Sequence, residues 1–234
     1  MLNSIRTGKT FKLENPPRVR TLPKPIQQLN VINGDEGRFY VTPEGRHYQS
    51  VTTFLGSLPQ AQYIKDWVER VGEREAIKKK RQGGNRGSRM HDSIEHYLLG
   101  EEVSIKNPLD LQLFSKMVPF LKKIDNIIAM ETSLYSDELE LAGRCDLIAT
   151  IEGIPFVIDF KTMTEQREIS ENYWIQTTAY SIMFEERTGI NISNLCIAAS
   201  ADDGHFIEAH SERDLWTQKL KILLAETRKT SILT

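Results

Sequence analysis

With 234 residues, 39% of them hydrophobic and 26% charged, the chain can bury one substantial core. No apolar run reaches the length of a membrane span, so a membrane partner is not expected. The net charge of -2 excludes any argument for a polyanion partner from bulk charge, and two cysteines cannot hold a four-thiolate iron–sulfur cluster.

Residues 1–36 are proline-rich and basic, with Arg6, Lys9, Lys12, Arg18, Arg20 and Lys24 against Glu14 over the first thirty, and read as an extended arm. A hairpin is expected from Arg38 to Thr52, turning at Pro43-Glu44-Gly45. Helical patterns follow over about 60–81, 85–99 and 109–125, with Gly83-Gly84 separating the first two and Gly100 ending the second. From Lys65 to Arg89 basic residues outnumber acids. This stretch is either a polyanion-binding face or a solvated helix end near a C-terminus, which the helix dipole favours. Strand patterns then run over 127–135, 139–151 and 155–162. A helix over 170–188 stops at Gly189, strands cover 195–200 and 205–209, and a helix over 212–228 closes the chain. Helices, a three-strand meander, a helix, a strand pair and a helix make an α/β layer arrangement around a mixed sheet. Cys145 and Cys196 lie inside apolar strand runs and read as buried small hydrophobes of a reducing compartment.

The stretch GRCDLIATIEGIPFVIDFKT, Gly143 to Thr162, carries charges in what otherwise read as buried strands. An unpaired buried charge is costly, so it calls for a partner or a role. A two-residue turn at Glu152-Gly153 sets Asp146 opposite Asp159, Arg144 opposite Lys161 and Ile148 opposite Val157. The other face carries Leu147 with Ile158, Cys145 with Phe160 and Ala149 with Phe156, a wholly apolar set. Opposed carboxylates with Cβ atoms about 4.5–5.5 Å apart repel. A divalent cation resolves this, and two carboxylates with a backbone carbonyl and waters form a hard-oxygen site for Mg²⁺ or Mn²⁺. Lys161 points to the same face and can orient a water or stabilise charge on a phosphate.

A turn at Asp137-Glu138 puts Glu131 opposite Arg144 and diagonal to Asp146, which fits either a cross-strand ion pair or a place in the site. His91 shares a helix face with Gly87, Ile94 and Leu98 and is either a satisfied core histidine or a ligand. Gln176 and Tyr180 share a face of the helix after Lys161. A His-Glu-x-x-His zinc motif, a Gly-x-Ser-x-Gly elbow and a Walker-type phosphate loop are all missing from the sequence.

Taken in order, Gly87 and His91, Glu131 and Ser133, Gly143 and Asp146, Asp159 and Lys161, and Gln176 and Tyr180 resemble the motifs of the PD-(D/E)XK nuclease superfamily, in its RecB-like exonuclease branch. The opening SVTTFLG, Ser50 to Gly56, is similar to that of tailed-phage exonucleases, and the resemblance spans about Ser50 to Tyr180. Cys145 stands where the superfamily name has proline. The resemblance implies a restriction-endonuclease-like core, a mixed sheet flanked by helices, within one nuclease domain over 37–234. It implies His91, Asp146, Asp159 and the Phe160 carbonyl as metal ligands, Lys161 as catalytic base or water-orienting group, and Glu131, Gln176 and Tyr180 as positioning groups. An imidazole among carboxylates tilts the choice from Mg²⁺ toward Mn²⁺.

The activity implied is a metal-dependent DNA exonuclease acting on single-stranded ends. A helical region at about 50–125 would guide the DNA, using Lys78, Lys79, Lys80, Arg81, Arg86 and Arg89, with Arg144 at the site. A structure-specific endonuclease and a non-catalytic nucleic-acid-binding module are the alternatives. The expected setting is a bacterial cytoplasm with a phage-borne gene. The basic, acid-poor first thirty residues raise the mitochondrial matrix as the other.

Overall fold

The computed structural model describes residues 8–59 and 62–232; the first seven residues of the arm and the expected helix start at Gln60 lie outside them. Strands β1 (Lys9–Phe11), β2 (Arg18–Val19), β3 (Asn30–Gly34), β4 (Gly37–Val41) and β5 (His47–Ser50) lead into helices α1 (Val51–Ser57), α2 (Gln62–Val71) and α3 (Glu73–Leu98). Then come β6 (Val103–Ile105), α4 (Pro108–Leu121), β7 (Ile124–Ser136), β8 (Leu141–Ile151) and β9 (Ile154–Met163). Helix α5 (Glu171–Thr188), β10 (Asn194–Ala201), β11 (Phe206–Glu212) and α6 (Arg213–Ile232) complete the order.

Nine of these strands form one mixed sheet in the order β11-β10-β9-β8-β5-β4-β3, with β7 on β8 and β2 on β7. Helices α3 and α4 cover one face, where Met90, Ile94, Phe114 and Met117 meet Leu147, Ile158 and Phe160. Helix α5 covers the other with Ile175, Ala179, Met183 and Phe184 on Ile148, Val157 and Ile197. Fully removing side chains of this size from water stabilises by about 1.5–3 kcal/mol each, so both helices are held firmly on the sheet. Helix α5 thus covers Val157 and Ile148, and the α/β layer arrangement around a mixed sheet is as the pattern implied.

The arm is tied down along its described length: β1 pairs with β6, β2 lies parallel to β7, and β3 pairs with β4. The glycine pair at 83–84 does not separate two helices. Helix α3 runs through it, and the break falls at Gly72, whose φ of 83° lies in the left-handed region where glycine is favoured. Neither Gly83 nor Gly84 has an atom within 4 Å of where a Cβ would sit. Gly83→Ala is accordingly expected to raise the unfolding free energy by about 0.5–1 kcal/mol, read as a higher urea or thermal midpoint. A lower midpoint would show that the helix is broken there in solution.

The β8–β9 turn at Glu152-Gly153 has φ of 52° and 81°, and the ladder from Ile151 with Ile154 to Leu147 with Ile158 keeps the expected register. The β7–β8 turn is two residues longer than expected. Ser136 Oγ accepts from Leu139 N at 2.8 Å and Glu186 Oε2 accepts from Asp137 N at 3.0 Å, which closes a wider loop. Ser133, not Glu131, consequently faces Arg144. Helix α4 also stops at Leu121, and β7 starts at Ile124 rather than 127.

One topological detail positions everything that follows. On the side away from β7, β8 first pairs with β5, through Leu141 and Ala142, and then with β9, from Leu147 onward. Between these ladders Gly143, Arg144, Cys145 and Asp146 face a fork in the sheet, where β5 and β9 diverge.

Candidate active site

Asp146 stands at the fork. The Asp146–Asp159 pair expected from the register is not a ladder pair, because the strands separate there. Asp146 Oδ2 instead accepts from Phe160 N at 2.9 Å. Asp159 lies almost wholly buried one strand away. Its Oδ2 is 2.6 Å from Lys161 Nζ, and its Oδ1 has no hydrogen-bond partner. Lys161 Nζ also donates to Gln176 Oε1 at 3.3 Å and sits 4.9 Å over the Tyr173 ring. Gln176 Nε2 donates to Tyr180 Oη at 3.3 Å. Tyr180 in turn fills the space beside Gly143, where a Cβ would come within 2.7 Å of its ring.

From α3, on the other face, His91 reaches into the same cluster. Its Nε2 lies 3.1 Å from the Phe160 carbonyl, and its Nδ1 lies 3.5 Å from Asp146 Oδ1 and 3.7 Å from Glu131 Oε1. Glu131 holds a left-handed φ of 46° on β7 and pairs through Oε2 with Arg144 Nε at 2.5 Å. Glu131 thus makes the ion pair with Arg144 despite the shifted register, and it borders the cluster.

Burial pulls the His91 imidazolium down, but Asp146, the bond to Glu131 and Asp159 outweigh it and raise the pKa to about 9. Burial pushes the Asp159 carboxyl up to about 6, against the pull of Lys161. Burial also lowers Lys161, yet Asp159 and Asp146 prevail, so its ammonium is held charged. Crowded negative charge with one sealed, unpaired carboxylate oxygen is a donor set that a cation completes. Among the described residues His91, Glu131 and Asp146 each offer one ligand atom, all within 4.8 Å of one another. Imidazole nitrogen with carboxylate oxygen fits a divalent cation.

The cluster opens into a cavity of about 350 Å³ bounded by α3, β4, β5, β8 and α5. Most of the residues singled out from sequence meet here: His91, Glu131, Arg144, Asp146, Lys161, Gln176 and Tyr180 line it, and Asp159 and Phe160 lie directly behind. Arg86 and Arg89 do not reach into it as free cations. Arg86 Nη1 is 2.7 Å from both Asp202 oxygens, and Arg89 contacts Asp110 at 2.7 and 3.0 Å. Charges engaged at such distances are not available to phosphate, and both arginines instead bolt α3 to its neighbours. Lys79, Lys80 and Arg81 are exposed, as is Lys78 with Glu75 at 3.5 Å, and they lie about 15–20 Å along α3 from His91. Sequence reasoning missed Arg38, Tyr40, Thr52 and Ser88, which also line the cavity. Only the parallel pairing of β5 with β8 brings the first three there, and no local spacing signals it.

This chain belongs to the PD-(D/E)XK nuclease superfamily, whose family model matches residues 57–233. It is similar to human mitochondrial genome maintenance exonuclease 1, at 25% identity over 156 residues, 61% of this chain and 45% of that protein. The chain therefore spans less than half the length of that relative. A crystal structure from Eubacterium rectale, described as of an exonuclease, aligns over 80% of each chain with a TM-score of 0.48 and 14% identity.

Proposed function

We propose that this chain is a divalent-metal-dependent deoxyribonuclease that degrades DNA from single-stranded ends. The observation that carries the reading is the charged cluster at the fork: His91, Glu131 and Asp146 within mutual reach, beside the sealed Asp159 oxygen and Lys161. The name of the human relative adds the exonuclease mode. The cavity of about 350 Å³ at the cluster is where the strand being cut would enter. We read residues 37–234, together with strands β2 and β3 of the arm that join their sheet, as one nuclease domain, and the exposed Lys78–Arg81 stretch as a guide for incoming DNA.

His91, Asp146, Asp159 and the Phe160 carbonyl would hold the cation, with Glu131 close enough to join. When bound, it supplies Lewis-acid polarisation of the phosphate and an acidified water. The chain's own groups do the rest. Lys161, kept charged by Asp159, donates toward the attacking water or a phosphate oxygen, which favours the water-orienting role over that of a base. Gln176 takes one of its donors and so fixes its direction, and Tyr180 holds Gln176 from behind. Arg144 lies at the rim, where Glu131 holds its guanidinium beside the site. Burial holds the Cys145 and Cys196 thiols protonated, which suits a reducing compartment such as a bacterial cytoplasm or a mitochondrial matrix.

Purified protein is to be incubated with end-labelled linear single-stranded DNA, its duplex, and circular single-stranded DNA, each titrated with Mg²⁺ or Mn²⁺. The linear single strand should shorten with either metal and stop on chelation, while the circle stays whole. Cutting of the circle at a similar rate would move the reading to an endonuclease. Intact DNA under every condition would leave a binding module.

A further inference from the structure

Three lysine and arginine side chains line the cavity, and two of them are engaged. Lys161 is paired with Asp159 and Arg144 with Glu131. The third, Arg38 on β4, has no carboxylate partner among the described residues. Its guanidinium makes a single 3.3 Å bond, to the neutral Asn33 Oδ1. The backbone behind it is closely set. Arg38 N donates to Thr53 Oγ1 at 3.0 Å, and Gly37, at φ 113°, packs so tightly that a Cβ would fall 2.3 Å from Thr53 Cγ2. Thr53 is itself held by Ser50, whose neighbouring ladder places it against Ala142 at the fork. The strand order β9-β8-β5-β4 puts Arg38 two strands from β8, about 10 Å across the sheet. That offset sets Arg38 to one side of the groups, Lys161 and Asp146, that address the phosphate being cut. From there it can reach the next phosphate along the same strand.

We propose that Arg38 is a second phosphate site, which binds a non-scissile phosphodiester beside the one being cut and so sets the position of cleavage relative to the strand. The inference rests on the nuclease reading for which phosphate is scissile, but not for the binding itself. It is tested with short single-stranded oligonucleotides in which one phosphate at a time is replaced by a neutral methylphosphonate. Equilibrium binding is measured by fluorescence anisotropy in EDTA, where no cleavage is expected, and KM and kcat are measured with metal.

For the unaltered chain, one flanking position should weaken binding about tenfold when neutralised, the size expected for one charge-assisted contact. Arg38→Ala should bind the unmodified strand about tenfold more weakly and be indifferent to neutralisation at that position. Its salt slope should fall by about 0.7, and Arg38→Lys should recover part of the loss. The loss should appear in KM with kcat little changed, which a merely structural effect would not produce. Unaltered affinity of Arg38→Ala, or a methylphosphonate penalty that survives in it, overturns the proposal. If the unaltered chain binds as described yet cuts nothing, the nuclease reading fails and the phosphate site stands.

Discussion

Lys161→Ala and Asp159→Ala are each expected to lower turnover of labelled single-stranded DNA by about 10²–10³-fold or more, the loss typical of removing one preorganised electrostatic group. Affinity for DNA should change little, because the phosphate contacts proposed for this chain lie elsewhere, at Arg38 and on the α3 surface. The two variants differ in what they leave behind. Lys161→Ala strands a buried Asp159 carboxylate without its cation, which is destabilising in its own right. Asp159→Asn removes a carboxylate whose pKa burial has raised to about 6. A group raised in this way stabilises the fold below its ordinary pKa and loses that contribution as pH climbs through 6. The amide variant also takes the carboxylate away from the buried Lys161 ammonium, so its melting midpoint at pH 7 reads the balance of the two effects, and a fold intact at the assay temperature is the control for its loss of turnover. Wild-type-like turnover by Asp159→Ala or Lys161→Ala would sink the assignment.

Gly143→Ala is expected to be nearly as damaging, for a different reason. Its backbone is ordinary strand, so the demand for glycine comes from space: the new Cβ would stand 2.7 Å from Tyr180 Cε1 and 3.0 Å from Oη. Overpacking of this kind typically costs about 1–3 kcal/mol. The ring must move to relieve it, and with it moves the oxygen that steadies Gln176 and, through Gln176, Lys161. Turnover should drop about tenfold or more, because small misplacements near the reacting atoms are magnified. Tyr180→Ala in the same background removes the collision, so the stability losses should be strongly non-additive in a double-mutant cycle. Simple additivity would mean that the two residues do not touch in solution.

Much of this arrangement was legible locally. The Glu152-Gly153 turn fixes the β8–β9 register, and the strand period alone keeps Asp159 with Lys161. Helix spacing put Gln176 with Tyr180 on one face of α5. What stayed illegible depends on distant partners. Arg86 and Arg89 read as phosphate hooks because their carboxylates, Asp202 and Asp110, are 116 and 21 residues away. The Glu131 register slipped because Glu186, 49 residues from Asp137, helps set the length of the β7–β8 turn. The mistaken helix break came from weighing the propensity of Gly83-Gly84 over the continuity of a helix that packs on β9 and α4 further along.

Those same arginines give α3 a mechanical character. Bolted at Arg86 and Arg89, the helix is a cantilever whose free arm, from Glu73 to Asn85, projects about 20 Å with α2 as its brace. The fulcrum lies about half a turn to one and a half turns from His91. A load on the middle of that arm, where Lys78 to Arg81 are carried, would act on the bolts before it reached the imidazole beyond them.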